Sequence, residues 1–304
     1  MRDRILFVYN PNAGTKAIQG KLYDVVNMLT GEDRELIISP TRKRGDACTA
    51  VVEYMKRGNI VQVVCSGGDG TLHEVVDGMM RVELKVPISY IPAGSTNDFG
   101  YSLSIPKDTL AAAGLSVNGI PFPVDIGEFC GNYFVYTAAF GMFTDVSYST
   151  PQNLKNVFGH MAYIFQGATA LTKLKSYHMT VTYDDVTEEG DFLYGMVVNS
   201  ESIGGFRGIT GKDVHLDDGY DELIMIRDCK TVDLPVLARD LLSGNMDNRN
   251  ILYSKIKNVH FHSEEPVSWT MDGEFGGTLR DASVTVHEKA VSIMVPKNLR
   301  AIHG

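Results

Sequence analysis

Two periods alternate along the first 120 residues. Short apolar runs rich in β-branched residues read as strands: Arg4-Ile5-Leu6-Phe7-Val8-Tyr9, Glu35-Leu36-Ile37-Ile38, Ile60-Val61-Gln62-Val63-Val64-Cys65 and Val86-Pro87-Ile88-Ser89-Tyr90-Ile91. Between them the apolar spacing is helical. Leu22, Val25, Val26 and Leu29 share one face. Ala47, Ala50, Val51, Tyr54 and Met55 follow Asp46, a residue type that caps helices. Leu72, Val75, Val76, Met79 and Met80 form the third such segment. A strand-helix alternation of this kind predicts a parallel sheet covered by helices.

The pattern changes at Pro121-Phe122-Pro123. Residues 124–129 and 133–140 are strand-like and flank Cys130-Gly131-Asn132, a hairpin signal. Residues 154–174 carry a helical pattern rich in Met, Tyr, Phe and Leu. Strand-like runs then dominate, at 178–183, 192–199, 222–226, 259–262, 267–271, 283–286 and 291–295, with one helical stretch at 232–242. Many strands joined by short turns predict an antiparallel β-sandwich. The expected organisation is therefore an α/β domain over residues 1–122, a β-sandwich domain over 123–295, and a segment, 296–304, that packs back on the first domain.

Composition narrows the class. With 304 residues, 44% of them hydrophobic and 21% charged, the chain is long enough for a large core and has a globular balance. Its net charge of −9 excludes a general basic surface for nucleic acid and disfavours simple adsorption to an anionic membrane, while leaving room for a local patch. No apolar run reaches the roughly 18 residues that span a bilayer. Met1-Arg2-Asp3-Arg4 leads into a strand-like run with no signal-peptide features, so the expected location is cytoplasmic. Cys48, Cys65, Cys130 and Cys229 form no CxxC pair; they read as reduced thiols, and a structural zinc site is not expected.

The candidate chemistry lies in loops that follow strand ends, at residues 10–14, 41, 67–71 and 94–97. In open α/β sheets ligands bind at that edge. Gly67-Gly68-Asp69-Gly70-Thr71 falls between a strand and a helix, where unpaired N–H groups and a close backbone suit a phosphate. Asp69 would repel a phosphate unless a cation such as Mg²⁺ lay between them. A tight turn with a solvated Asp is the plainer reading. Neither a GxxxxGK[ST] nor a GxGxxG motif is present, which disfavours ordinary P-loop enzymes and dinucleotide dehydrogenases.

Several features have two readings. Asp272-Gly273-Glu274 and Asp218-Gly219 are each candidates for plain hairpin turns as well as for function. His260 and His262 alternate on one strand face and are expected to be a partly buried structural pair rather than metal ligands. Residues 161–165 suit a core helix better than a lipid-tail groove. Arg42-Lys43-Arg44 is either a phosphate contact or a solvated basic turn.

Taken in order, Asn10-Pro11-Asn12-Ala13-Gly14, Thr41, Gly67-Gly68-Asp69-Gly70-Thr71, Gly94-Ser95-Thr96-Asn97-Asp98-Phe99, Asp218-Gly219 and Asp272-Gly273-Glu274 resemble the diacylglycerol kinase catalytic family, bacterial lipid kinases similar to sphingosine and ceramide kinases. The Gly67–Thr71 block alone is shared with NAD kinases and phosphofructokinases; the ordered set is more specific and runs nearly the whole chain. The resemblance implies an N-terminal ATP-binding α/β domain of the NAD kinase/phosphofructokinase kind, a C-terminal antiparallel β-sandwich, and an active site in the cleft between them. It places ATP contacts on Asn10, Pro11, Asn12, Ala13, Gly14, Thr41, Gly67, Gly68, Asp69, Gly70, Thr71, Leu72, His73 and Thr96. The proton acceptor falls on Glu274, with Asp272 beside it and Asp69 steering the cation. A second, structural Mg²⁺ falls on Asp218, with His215 and Tyr220 giving backbone oxygens. The chain departs from the family where Ser95-Thr96 replaces the usual Thr-Ala, His73 replaces a common Asn, and residues 212–217 lack the customary Pro and small residues.

The function this implies is an ATP- and Mg²⁺-dependent lipid kinase, with diacylglycerol as the leading acceptor. Its lipid would be met at the inner face of the membrane through transient peripheral contact. The oligomeric state, a homodimer included, stays open. The rival readings are a kinase of a sphingoid base, ceramide, isoprenoid alcohol or monoacylglycerol, and a non-catalytic nucleotide-binding regulator of the same fold.

Overall fold

The computed structural model describes residues 3–14, 16–30, 34–141, 175–211 and 213–299. The helix expected at 154–174, with its 161–165 segment, lies outside the described residues. The chain divides into two compact units, one of Met1–Ile126 with Lys289–Gly304, the other Gly127–Glu288.

In the first unit the elements run β1 (Asp3–Tyr9), α1 (Ala17–Leu29), β2 (Arg34–Pro40), α2 (Asp46–Arg57), β3 (Ile60–Gly67), α3 (Asp69–Met80), β4 (Ile88–Pro92), α4 (Asp98–Ser102), α5 (Thr109–Asn118) and the start of β5 (Ile120–Phe129). β1 pairs in parallel with β2 on one side and β3 on the other, and β3 pairs in parallel with β4. The continuous apolar runs follow from burial on both faces: Ile5 to Val8 and Val63 to Cys65 are all buried. Gln62 is the polar exception in β3. Its amide donates to Ser89 Oγ at 3.0 Å and to the Ser116 carbonyl at 3.1 Å, joining β3, β4 and α5. The apolar pattern did not announce α5, because Ala and Leu occupy half of its positions and no polar stripe marks a face. Its start is set by Asp108, whose carboxylate accepts from the Leu110 and Ala111 N–H groups at 3.1 and 2.8 Å.

The second unit continues through β6 (Asn132–Phe134), β7 (Thr137–Gly141), β8 (Tyr177–Tyr183), β9 (Val186–Val198), β10 (Ser202–Ile203), β11 (Phe206–Arg207), β12 (Asp221–Arg227), α6 (Leu234–Leu242), β13 (Ile251–Ile256), β14 (Asn258–Met271) and β15 (Glu274–Val295). The strands run in the order β13-β12-β9-β7-β14-β15, with β8 pairing β9 and β14. The pairings within this unit are antiparallel. Alternate residues of β9 and β12 enter different cores. Val197, Leu223 and Met225 join an aromatic cluster with Trp269, Phe140 and Phe261. Met196, Val198, Ile224 and Ile226 pack with Leu234, Leu237 and Leu241 of α6.

Two strands are longer than the sequence pattern predicts. The runs at 259–262 and 267–271 are one strand, β14, with a register shift between His262 and Val267 that breaks the alternation. Those at 283–286 and 291–295 belong to β15. The reverse holds at 133–140, where a single predicted strand is split into β6 and β7 by Val135 and Tyr136. The histidine expectation also needs correcting. Val259, Phe261 and Ser263 turn inward, so His260 and His262 point outward with side chains 54% and 53% exposed, flanking Asp281.

The aromatic cluster centres on Trp269, whose ring lies 4.9 Å from those of Phe129 and Phe140 and 5.0 Å from that of Phe261. Trp269→Ala is expected to cost about 3–5 kcal/mol in denaturant unfolding; a loss below about 1 kcal/mol would contradict this packing.

Candidate active site

In the first unit three loops meet because glycine lets backbone touch backbone. Gly14 has a φ of 48°, and a Cβ there would collide with the Ala93 carbonyl. A Cβ on Gly94 would stand 2.7 Å from the Gly68 Cα. The 10–14, 67–71 and 93–97 segments therefore close on one another at the start of α3. Hydrogen bonds fix the arrangement. Ala93 N–H donates to the Gly67 carbonyl at 2.7 Å, and Asn10 N–H to the Ser66 carbonyl at 2.8 Å. Asn97 binds Gly94 twice, accepting from its N–H at 2.8 Å and donating to its carbonyl at 2.9 Å. Thr41 joins the edge by donating its N–H to the Tyr9 carbonyl at 2.9 Å.

Gly68 is the N-cap of α3 and has no side chain to satisfy the first-turn N–H groups. That leaves an anion-seeking helix end. Asp69 opens the helix, and the Thr96 hydroxyl donates to its carboxylate at 3.2 Å. Of the two hydroxyls in Ser95-Thr96, Thr96 thus reaches Asp69, while Ser95 is exposed. Leu72 is a core residue, 1% exposed, so only its backbone can face a ligand. His73 is half-buried.

The sequence reading missed a support for this edge. The Glu74 carboxylate on α3 accepts from the Gly45 and Ala47 N–H groups at 2.8 and 3.0 Å, capping α2 from outside. Asp46 binds the loop before it, accepting from Arg42 and Lys43 N–H at 2.8 and 3.0 Å. These backbone bonds hold its carboxyl below the usual range. Arg42, Lys43 and Arg44 are all exposed. Capping of one helix by a glutamate on another leaves no local signature, which is why Glu74 was not legible.

In the second unit Asp272 and Gly273 form the two-residue turn between β14 and β15, with φ values of 47° and 80°. The hairpin reading is therefore correct as geometry, but the turn does more. Asp272 is 5% exposed. Its carboxylate accepts from Val135, Tyr136 and Thr137 N–H at 2.8, 3.0 and 3.1 Å, and its own N–H donates to the Thr137 carbonyl at 2.9 Å. This is the reason β6 and β7 separate: the N–H groups of 135–137 serve a carboxylate. With its oxygens so engaged, Asp272 has the geometry of a positioning residue rather than of a proton acceptor. Glu274, paired with Met271 across the turn, is half-buried.

Asp218, Gly219 and Tyr220 form another turn of the second unit. The Asp218 carboxylate accepts the Tyr220 N–H at 3.1 Å through Oδ1, and Oδ2 lies 2.6 Å from Lys255 Nζ. His215 is half-buried. Glu222, two residues beyond the turn, is fully buried, and burial pushes its carboxyl up to about 9, with Asp221 adding to the effect. No cluster of three His, Cys, Asp or Glu side chains suited to a metal occurs among the described residues. As placed, both Asp218 oxygens are engaged, by the Tyr220 N–H and the Lys255 ammonium, so Asp218 meets an ammonium where the resemblance gave it a metal.

Comparison with known proteins agrees with both halves. Residues 4–129 match the family model described as the diacylglycerol kinase catalytic domain, and residues 139–298 match the YegS C-terminal NAD kinase beta sandwich-like domain. A diacylglycerol kinase of Bacillus subtilis (strain 168) is 30% identical over 296 residues, 97% of each chain. One from Staphylococcus epidermidis is 32% identical over 300 residues, covering 98% of this chain and 94% of the relative. A crystal structure of a diacylglycerol kinase from Bacillus anthracis str. Sterne matches with a TM-score of 0.74 at 20% identity, covering 98% of each chain. Another structure from that organism matches at 0.83 and 22%, covering 98% of this chain and 99% of the other. At those identities the likeness concerns the fold. The chain belongs to the diacylglycerol kinase catalytic family, and its relatives support a lipid kinase at the level of the family. No helix among the described residues is long and apolar enough to cross a membrane.

Glu74→Ala should free two N–H groups at the head of α2 and weaken ATP binding severalfold, consistent with a capping loss of about 0.5–2 kcal/mol. Glu74→Gln, which keeps one acceptor oxygen for the two N–H groups, should lose less. Titration calorimetry with nucleotide checks this; an unchanged affinity in the alanine variant would contradict it.

Proposed function

We propose that this chain transfers the γ-phosphate of ATP to a lipid hydroxyl, with diacylglycerol as the acceptor and phosphatidic acid as the product. What supports the reading is the closure of three glycine-bearing loops around an uncapped helix start that carries Asp69. Phosphoryl transfer depends on positioning and charge neutralisation more than on covalent chemistry. The Gly14 N–H and the N–H groups at the start of α3 bind the phosphates, while the Asn10, Asn12 and Ala13 N–H groups hold the loop in shape; magnesium enters with the nucleotide as part of the co-substrate. Asp69, oriented by Thr96, faces that charge.

Glu274 takes the proton of the acceptor hydroxyl. The freed oxygen forms a bond to the γ-phosphorus, the bond from that phosphorus to the β–γ bridging oxygen breaks, and ADP leaves with the electron pair. Asp272 holds the turn on which Glu274 sits. Phe275, next in sequence, is 50% exposed, which suits an apolar substrate. The acceptor itself rests on family membership.

The test is transfer of label from γ-labelled ATP in a mixed lipid extract. Labelled phosphatidic acid is expected. Label in another lipid would move the acceptor, and nucleotide binding without transfer would overturn the reading in favour of a regulator. Glu274→Gln is expected to lower kcat by at least about 10²-fold with ATP affinity nearly unchanged; a variant that keeps most of its turnover would place the base elsewhere. Asp69→Asn should weaken Mg²⁺-dependent turnover and raise the Mg²⁺ needed for half-maximal rate, and a normal Mg²⁺ dependence would contradict its role.

A further inference from the structure

Lys255 gives the Asp218 turn a cation that no motif announced. We propose that the Lys255 ammonium is the resident cation of the Asp218-Gly219-Tyr220 turn, taking the place of the divalent ion that the family resemblance assigns there.

The geometry is complete without a metal. Asp218 Oδ1 closes its own turn on the Tyr220 N–H at 3.1 Å, and Oδ2 meets Lys255 Nζ at 2.6 Å. Lys255 is not a loose surface residue. It lies on β13 in register with Glu222 on β12, and its Nζ is also 3.9 Å from Glu222 Oε1. Glu222 Oε1 and Oε2 are buried without a hydrogen-bond partner, so the ammonium stands between a bonded carboxylate and a buried one. The Lys255 and Asp218 side chains are 31% and 27% exposed, shielded enough for the pair to be held. A second ammonium, that of Lys257, stands 4.8 Å from the centre of the Tyr220 ring. A divalent ion on Asp218 would have to displace Lys255 or sit beside it, against like-charge repulsion. An ammonium needs only acceptors, and this one is already attached to the chain.

The inference does not depend on the proposed reaction, because its readout is stability and metal binding rather than phosphoryl transfer. The full-length chain, stripped with EDTA and free of nucleotide, is melted across a Mg²⁺ titration. The wild-type midpoint is expected to stay constant. Lys255→Met should melt several degrees lower in EDTA and recover as Mg²⁺ is added, because removing the ammonium reopens Asp218 to a metal. A wild-type midpoint that rises with Mg²⁺ as much as that of the variant would overturn the proposal. So would a variant whose midpoint ignores Mg²⁺. Should Lys255→Met fail to fold, Mn²⁺ bound per chain, counted by electron paramagnetic resonance, compares wild type with Asp218→Asn. Equal counts are expected, since any ion held elsewhere contributes to both. Loss of a bound ion in Asp218→Asn would overturn it.

Discussion

A buried carboxylate at a hairpin turn organises the second unit. Asp272 accepts three consecutive backbone N–H groups. Hydrogen bonds to a charged group are worth about 1.5–3 kcal/mol each, and leaving those donors unpaired in the interior would cost a comparable amount. This constraint explains three features together: the break between β6 and β7, the left-handed turn at 272–273, and the fixed start of β15 at Glu274. Glu274, the base in the proposed reaction, gains its support from this turn, and positioning supplies much of the catalytic advantage of such a group.

The first unit meets a parallel demand by different means. Its loops must bring backbone N–H groups to one point, and any Cβ at Gly14 or Gly94 would hold the segments apart. Glycine opens the space, and side chains then lock it. Asn97 ties down Gly94, Thr96 orients Asp69, and Glu74 fixes the head of α2. In each unit a motif residue is thus joined to a partner distant in sequence, Thr96 to Asp69 and Asp272 to Val135–Thr137.

That division sets what could be read in advance. The strands β1, β3 and β4 were legible as continuous apolar runs buried on both faces, the helices α1 to α3 by their 3.6-residue apolar spacing, and the glycine loops because they interrupt these patterns. α5 was invisible, since its Ala-rich sequence shows no polar face. β14 read as two strands because its bulge shifts the alternation. Among the candidate site residues, Asp69, Asp272 and Glu274 were visible as motif residues, but the contacts of Asp272 are with Val135 to Thr137, more than 130 positions away. Lys255 was invisible for the same reason: only the register between β12 and β13 sets it beside Glu222 and the Asp218 turn. Local sequence shows where the chain turns; which group satisfies the turn is a tertiary fact.

Amide hydrogen exchange at residues 135–137 tests the central claim most directly. Wild-type protein should protect the Val135, Tyr136 and Thr137 N–H groups, and Asp272→Ala should speed their exchange by about 10-fold or more, the equivalent of losing roughly 1.4 kcal/mol of local protection. If Asp272→Ala leaves that protection intact while abolishing activity, the carboxylate acts in the chemistry and the anchoring account is wrong.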